Sequence, residues 1–114
     1  MNERVKQEYQ QIINRLLTAT DAKRLNWKRQ NPTTFYFDKD DAIISLQKLQ
    51  GHNTYRIMSN YVFMIKKKNG EIALQINTSN EDIFQTLLQQ LYDRIEYNIE
   101  SENIDFLKGL IDDI

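Results

Sequence analysis

Between residues 5 and 17 apolar side chains recur every third or fourth position: Val5, Tyr9, Ile12, Ile13, Leu16 and Leu17. That spacing gathers them on one stripe of an α-helix, with Arg4, Lys6, Glu8 and Arg15 mainly on other faces. The helical period fades over residues 18–21, and a two-residue alternation takes over. Ile72, Leu74 and Ile76 alternate with Glu71, Ala73 and Gln75, as in a strand with one buried face. The preceding Asn69-Gly70 pair tolerates positive φ and predicts a two-residue hairpin loop, with Ile65 opposite Leu74 and Phe63 opposite Ile76.

A second hairpin is predicted in the run Asp38-Lys39-Asp40-Asp41. With Lys39-Asp40 as its loop, Phe37 meets Ala42, Phe35 meets Ile44 and Thr33 meets Leu46. Residues 49–54 predict a turn into a long strand from Tyr55 to Lys67. Its Tyr55, Ile57, Tyr61, Phe63 and Ile65 share one face. Further back, Leu25 and Trp27 alternate with Arg24, Asn26 and Lys28, and Asn31-Pro32 marks a turn. Trp27 and Leu25 are expected to point into the core from a strand, with the basic residues facing outward.

Helical spacing returns with Phe84, Leu87, Leu88, Leu91, Tyr92, Ile95 and Ile99. Thr78 with Glu81, or Ser79 with Asp82, fits a helix start in which a hydroxyl caps an amide. Ser101 is expected to cap a separate short helix carrying Ile104, Leu107, Leu110, Ile111 and Ile114. The pattern thus predicts a single α+β domain over residues 1–114. It has an N-terminal helix, a four- to five-stranded antiparallel meander sheet and two C-terminal helices, the helices packed mainly on one sheet face. The other face would carry Tyr36, Ile43, Arg56, Met58, Val62, Met64, Lys66 and Ala73. So apolar a surface suggests a partner-binding face or a dimer interface.

Composition narrows the class. A chain of 114 residues, 40% hydrophobic and 27% charged, supports one core. No apolar run approaches the ~20 residues that span a bilayer. The opening MNERVKQEYQ has no apolar segment of a secretory signal. The absence of Cys excludes disulfides and thiolate metal sites. A cytoplasmic protein with no membrane association is expected.

The net charge of −1 hides an asymmetry, because residues 1–80 carry 13 basic and 7 acidic side chains and residues 81–114 carry 2 and 9. Asp93, Glu96 and Glu100 stand three and four apart, opposite the apolar stripe of their helix, with Glu102, Asp105, Asp112 and Asp113 near. They form a negative surface suited to a protein partner. Lys23, Arg24, Lys28 and Arg29, together with Lys66, Lys67 and Lys68, are the candidates for the alternative, a nucleic-acid-binding hairpin. A pI near 5.8 argues against direct duplex binding.

The sequence carries no catalytic signature. His52 is the single histidine, placed in an expected turn, and nothing sets a base beside Ser45 or Ser59. The usual zinc ligands are missing, and the acidic run at 38–41 lacks the twelve-residue loop of an EF-hand. Some sheet nucleases hold a metal with an Asp and a Glu-x-Lys. Here the corresponding strand reads Glu71-Ile72-Ala73, without the Lys. Gly51, Gly70 and Gly109 make no phosphate-binding loop. No enzyme, no cofactor and no metal site are expected.

The stretch RLLTATDAKRLNWKRQNPTTFYF, with the hairpin glycine and the later LLQQLYDRI, resembles a loose group of small uncharacterised bacterial proteins. They combine an N-terminal helix ending near Leu-x-x-x-Thr, a Leu-x-Trp strand, a Gly-containing hairpin and a C-terminal helix. The resemblance implies a cytoplasmic α+β domain and transfers no activity. The expected function is a non-catalytic interaction module: a small inhibitor, immunity-like or adaptor protein, or a homodimer. It would act through the acidic helical face (Asp93, Glu96, Glu100) or the outer sheet face (Tyr36, Met58, Met64).

Overall fold

The computed structural model describes residues 2–52, 57–78 and 83–114, with backbone alone for 50–52, 57 and 58. Helix α1 spans Glu3–Asp21. Strands β1 (Lys28–Asn31), β2 (Thr34–Lys39), β3 (Ala42–His52), β4 (Ile57–Lys67) and β5 (Ile72–Asn77) follow, and helix α2 spans Ile83–Asp112. The five strands form one antiparallel sheet in the order β1-β2-β3-β4-β5, the expected meander. Both helices lie on one face, so the α+β expectation holds.

At its start α1 is held by Asn2, whose Oδ1 accepts the Arg4 amide at 2.8 Å. It runs past the point where apolar periodicity fades, because Thr18 and Thr20 are absorbed into the helix. Their hydroxyls donate to the carbonyls of Asn14 and Leu16 at 3.0 and 2.7 Å. Lys23 then takes a left-handed φ of 57° and ends the helix. Of the predicted stripe, Ile13 is buried and Tyr9, Leu16 and Leu17 pack against the core. Val5 and Ile12 stay exposed.

Pairing across the sheet sets the core. One inward row reads Arg29, Phe35, Leu46, Phe63, Ile76, and the next reads Phe37, Ile44, Ile65, Leu74. Against them pack Phe84, Leu88, Leu91, Tyr92 and Ile95 of α2. Trp27 is buried as expected, but it precedes β1 and belongs to no strand alternation. Its position comes from a hydrogen bond: the indole Nε1–H donates to Thr20 Oγ1 at 3.0 Å. The ring meets Phe37 edge-on at 4.5 Å.

Several expected registers are corrected. The β2–β3 loop is Asp40-Asp41, not Lys39-Asp40, so Phe37 faces Ile44 and Phe35 faces Leu46. Asp40 supplies the left-handed residue of this turn, with φ 53°. The shift is two positions and leaves every side chain on its predicted face. At the β4–β5 turn the Gly70 amide donates to the Lys67 carbonyl and the Lys67 amide to the Glu71 carbonyl, each at 2.8 Å. This is a three-residue loop with Gly70 at φ 94°, not a two-residue one.

A bulge opposite Ile65 and Lys66 then restores the predicted pairs Ile65–Leu74 and Phe63–Ile76. The same bulge pairs Ile72 with Lys66, which turns Ile72 out of the core to solvent. The predicted turn at 49–54 is also moved, since β3 continues to His52, which pairs with Ile57. Tyr55 and Arg56 lie outside the described residues, as do Ser79, Glu81 and Asp82 of the proposed helix starts. The Thr78 hydroxyl accepts the Tyr61 amide at 2.9 Å and extends the β4–β5 ladder.

The last correction matters most for function. There is one C-terminal helix, and Ser101 lies inside it. No Pro or Gly falls between residues 83 and 108, so nothing breaks the hydrogen-bond ladder there.

Candidate functional site

Within α2 the burial ends abruptly. Phe84, Leu88, Leu91, Tyr92 and Ile95 are buried and Ile99 is half-buried, whereas every residue from Glu102 to Ile114 is exposed. The last turn of α1 is tied to α2 just before this boundary. The Asn98 side-chain amide donates to the Thr20 carbonyl at 2.8 Å, and Arg94 pairs with Asp21. Beyond Glu100 the helix leaves the domain as an arm.

The arm is not polar. Ile104, Leu107, Leu110 and Ile111 are each between 51% and 64% exposed, and Ile114 is fully so. Angular phase turns Ile104, Leu107 and Ile111 away from the core, whereas Phe106 and Leu110, in phase with the buried stripe, are exposed because the helix has run past the domain. At 100° per residue Ile104, Leu107 and Ile111 are centred roughly 155° around the helix from the buried stripe of Phe84 to Ile99. The step from Ile99 to Ile104 is five residues, which breaks the three-four rhythm. An uninterrupted helix must therefore carry the second stripe away from the sheet.

The second stripe continues backwards into the acidic triplet. Asp93, Glu96, Glu100, Ile104, Leu107 and Ile111 are spaced by three or four throughout, so they form one line along α2, and Ile114 follows two residues past its end. Asp93 and Glu100 are exposed, and Glu96 is half-buried. The structure thus joins the acidic face to an apolar seam that the sequence pattern alone places on a separate short helix. The five-residue gap between Ile99 and Ile104 was the signal in the sequence that separated the two stripes.

The acids act on their surroundings. Tyr61 is buried, and its hydroxyl pKa rises from 10.0 to about 12, first through burial and then through Asp93, Tyr92 and Glu96. Tyr92 is raised as well, chiefly by burial and then by the charge of Glu96. Lys48, on the same inward row as Tyr61, holds its ammonium 5.5 Å from the centre of the Tyr92 ring.

Neither described helix covers the outer sheet face. One row across it reads Lys28, Tyr36, Ser45, Met64, Gln75. Tyr36, Ser45 and Met64 are half-buried and floor a shallow concavity of about 530 Å³ edged by Gln30, Asp38 and Lys66. The side chain of Met58 lies outside the described residues.

The basic candidates are not gathered in one place. Lys23 and Arg24 are in the turn after α1. Lys28 is on the outer face of the edge strand, and Lys66 is three strands away, roughly 14 Å at the usual strand spacing. Arg29 points to the inner face, 4.8 Å over the Phe35 ring, and donates to the Pro32 carbonyl at 3.0 Å. Lys67 pairs with Glu71 at 3.4 Å. Lys68 is in the hairpin loop.

Among the described residues no group of three or more His, Asp or Glu is placed to hold a metal ion. No described helix is long and apolar enough to cross a membrane. No protein-family model, curated protein or solved structure was found to match the chain.

Proposed function

We propose that this chain is a non-catalytic protein-binding module whose working surface is the outer line of α2, acidic from Asp93 to Glu100 and apolar from Ile104 to Ile114. The observation that carries the reading is the arm itself. About three helical turns keep four large aliphatic side chains, Ile104, Leu107, Leu110 and Ile111, in water. Contiguous apolar surface of this kind marks an interaction site far more often than scattered exposed residues do. Detached helices of this length are marginal in water. This one is propagated from a buried anchor, so it is presented already folded to a partner, which lowers the ordering cost of binding.

The class of partner that fits is a protein with an apolar groove and basic flanks. Affinity capture from the native cell tests this, comparing the wild type with Leu107→Asp/Leu110→Asp and with Asp93→Lys/Glu100→Lys. A partner should be retained by the wild type and lost by the first variant, with weaker retention by the second. Equal retention by all three removes this surface from consideration. Support for the nucleic-acid alternative is weaker, since Lys28 and Lys66 stand roughly 14 Å apart on the outer face and Arg29 points to the inner one. A gel shift at two salt concentrations bears on it, because phosphate contacts make affinity fall steeply with salt.

A further inference from the structure

The inner face of the sheet is not fully roofed. Between α1 and the turn end of β2, β3 and β4 lies an open groove of about 950 Å³, with Leu16, Leu25, Phe37, Ile44 and Ile65 along its floor. Among the described residues the charged side chains lining it are Arg15, Arg24 and Lys39, with no acid. Two turns of α-helix make a cylinder ~10 Å across and ~11 Å long, roughly 850 Å³, so the groove has the capacity for a helical segment.

The arm of α2 has the matching chemistry. Residues 100–114 carry five acids, Glu100, Glu102, Asp105, Asp112 and Asp113, against the one base Lys108. Its apolar line faces away from its own domain. An unbroken helix cannot fold back onto the groove of the same chain. We propose, building on the interaction-module reading above, that the arm of one copy seats in the α1–sheet groove of a second copy. The exchange is reciprocal and forms a two-fold dimer.

Charge decides between this arrangement and the other way two copies could use their arms. Pairing arm against arm sets two strongly acidic helices side by side, which like-charge repulsion opposes. Arm in groove sets acids beside Arg15, Arg24 and Lys39 and covers both unpartnered apolar surfaces at once. Each protomer gives an arm and receives one, so the contact doubles toward the ~800 Å² per partner of stable dimers.

Sedimentation equilibrium of the intact chain tests the proposal with two variants at exposed positions, so that folding is retained and checked by circular dichroism. Arm variant Leu107→Asp/Leu110→Asp and groove variant Arg15→Glu/Arg24→Glu are measured alone and mixed. The wild type should be dimeric. The arm variant should be monomeric, and the groove variant should bind at least about tenfold more weakly, the factor that 1.4 kcal/mol carries. The mixture should associate more tightly than either variant alone, since it restores one intact arm and one intact groove.

A wild type that stays monomeric up to its solubility limit overturns the proposal. It leaves the interaction-module reading to the capture experiment, which scores partners other than the chain itself. A dimer lost in the arm variant but unaffected in the groove variant also overturns it, because arms would then be pairing with each other.

Discussion

Thr20 is the joint at which three elements meet, and Thr20→Val measures what that joint contributes. The side chain is fully buried in the last turn of α1. Its Oγ1 accepts the Trp27 indole N–H at 3.0 Å, and its backbone carbonyl accepts from Asn98 of α2 at 2.8 Å. Valine keeps the shape and the carbonyl and removes only the hydroxyl. The hydroxyl's own donation to the Leu16 carbonyl matters little, since that carbonyl already serves the helix ladder. What is lost is the acceptor for a buried indole N–H, a cost of about 1–3 kcal/mol.

For a domain of this size that loss lowers the melting temperature by roughly 10 °C. Trp27→Phe removes the donor instead, at a separate cost in packing against Phe37. In that background Thr20→Val should be almost silent. Urea unfolding of the four proteins, followed by far-ultraviolet circular dichroism, gives the coupling energy. It should be about 1–2 kcal/mol. A coupling indistinguishable from zero would mean that Trp27 is held by packing alone, and the hydrogen-bond account of its burial would fail.

Three further outcomes follow from the same structure. Between about pH 10 and pH 12 the unfolded chain gives up a phenolic proton that folded Tyr61 retains. Stability is therefore complete below that window and falls with rising pH across it, by up to about 3 kcal/mol. Alkaline denaturation curves should show this slope flattened by Tyr61→Phe, and equal slopes would contradict it. Gly70→Ala meets no atom within 4 Å, so its cost should be the left-handed backbone alone, about 1–2 kcal/mol by chemical denaturation. A much larger loss would point to steric crowding that the structure does not contain. Leu107→Asp should leave the melting temperature nearly unchanged, while Leu91→Ala, fully buried in the same helix, should cost about 2–5 kcal/mol. Comparable losses in a thermal melt would show that the arm is packed.

Much of this fold was legible in the order of its residues because the relevant periods are local. Alternation in β4 and β5 named Phe63, Ile65, Leu74 and Ile76 as inward-facing, and they are. The three-four spacing from Phe84 to Ile99 named the buried side of α2. Asp93, Glu96 and Glu100 were recognised as a unit, but their continuation into Ile104, Leu107, Ile111 and Ile114 was hidden by an expected break at Ser101. Capping preference favours serine at a helix start. It does not force a break when the flanking residues are able to continue the helix.

The chain order alone determined which segments coil, which extend, and which side chains seek the interior, since those follow from each residue's neighbours along the backbone. Turn position at Asp40-Asp41, the bulge that expels Ile72, the Thr20–Trp27 hydrogen bond and the unbroken α2 were decided by the assembled molecule. Each is a choice between local alternatives of similar energy. Such near-ties are settled by partners distant in sequence, and only the packed structure brings those partners together.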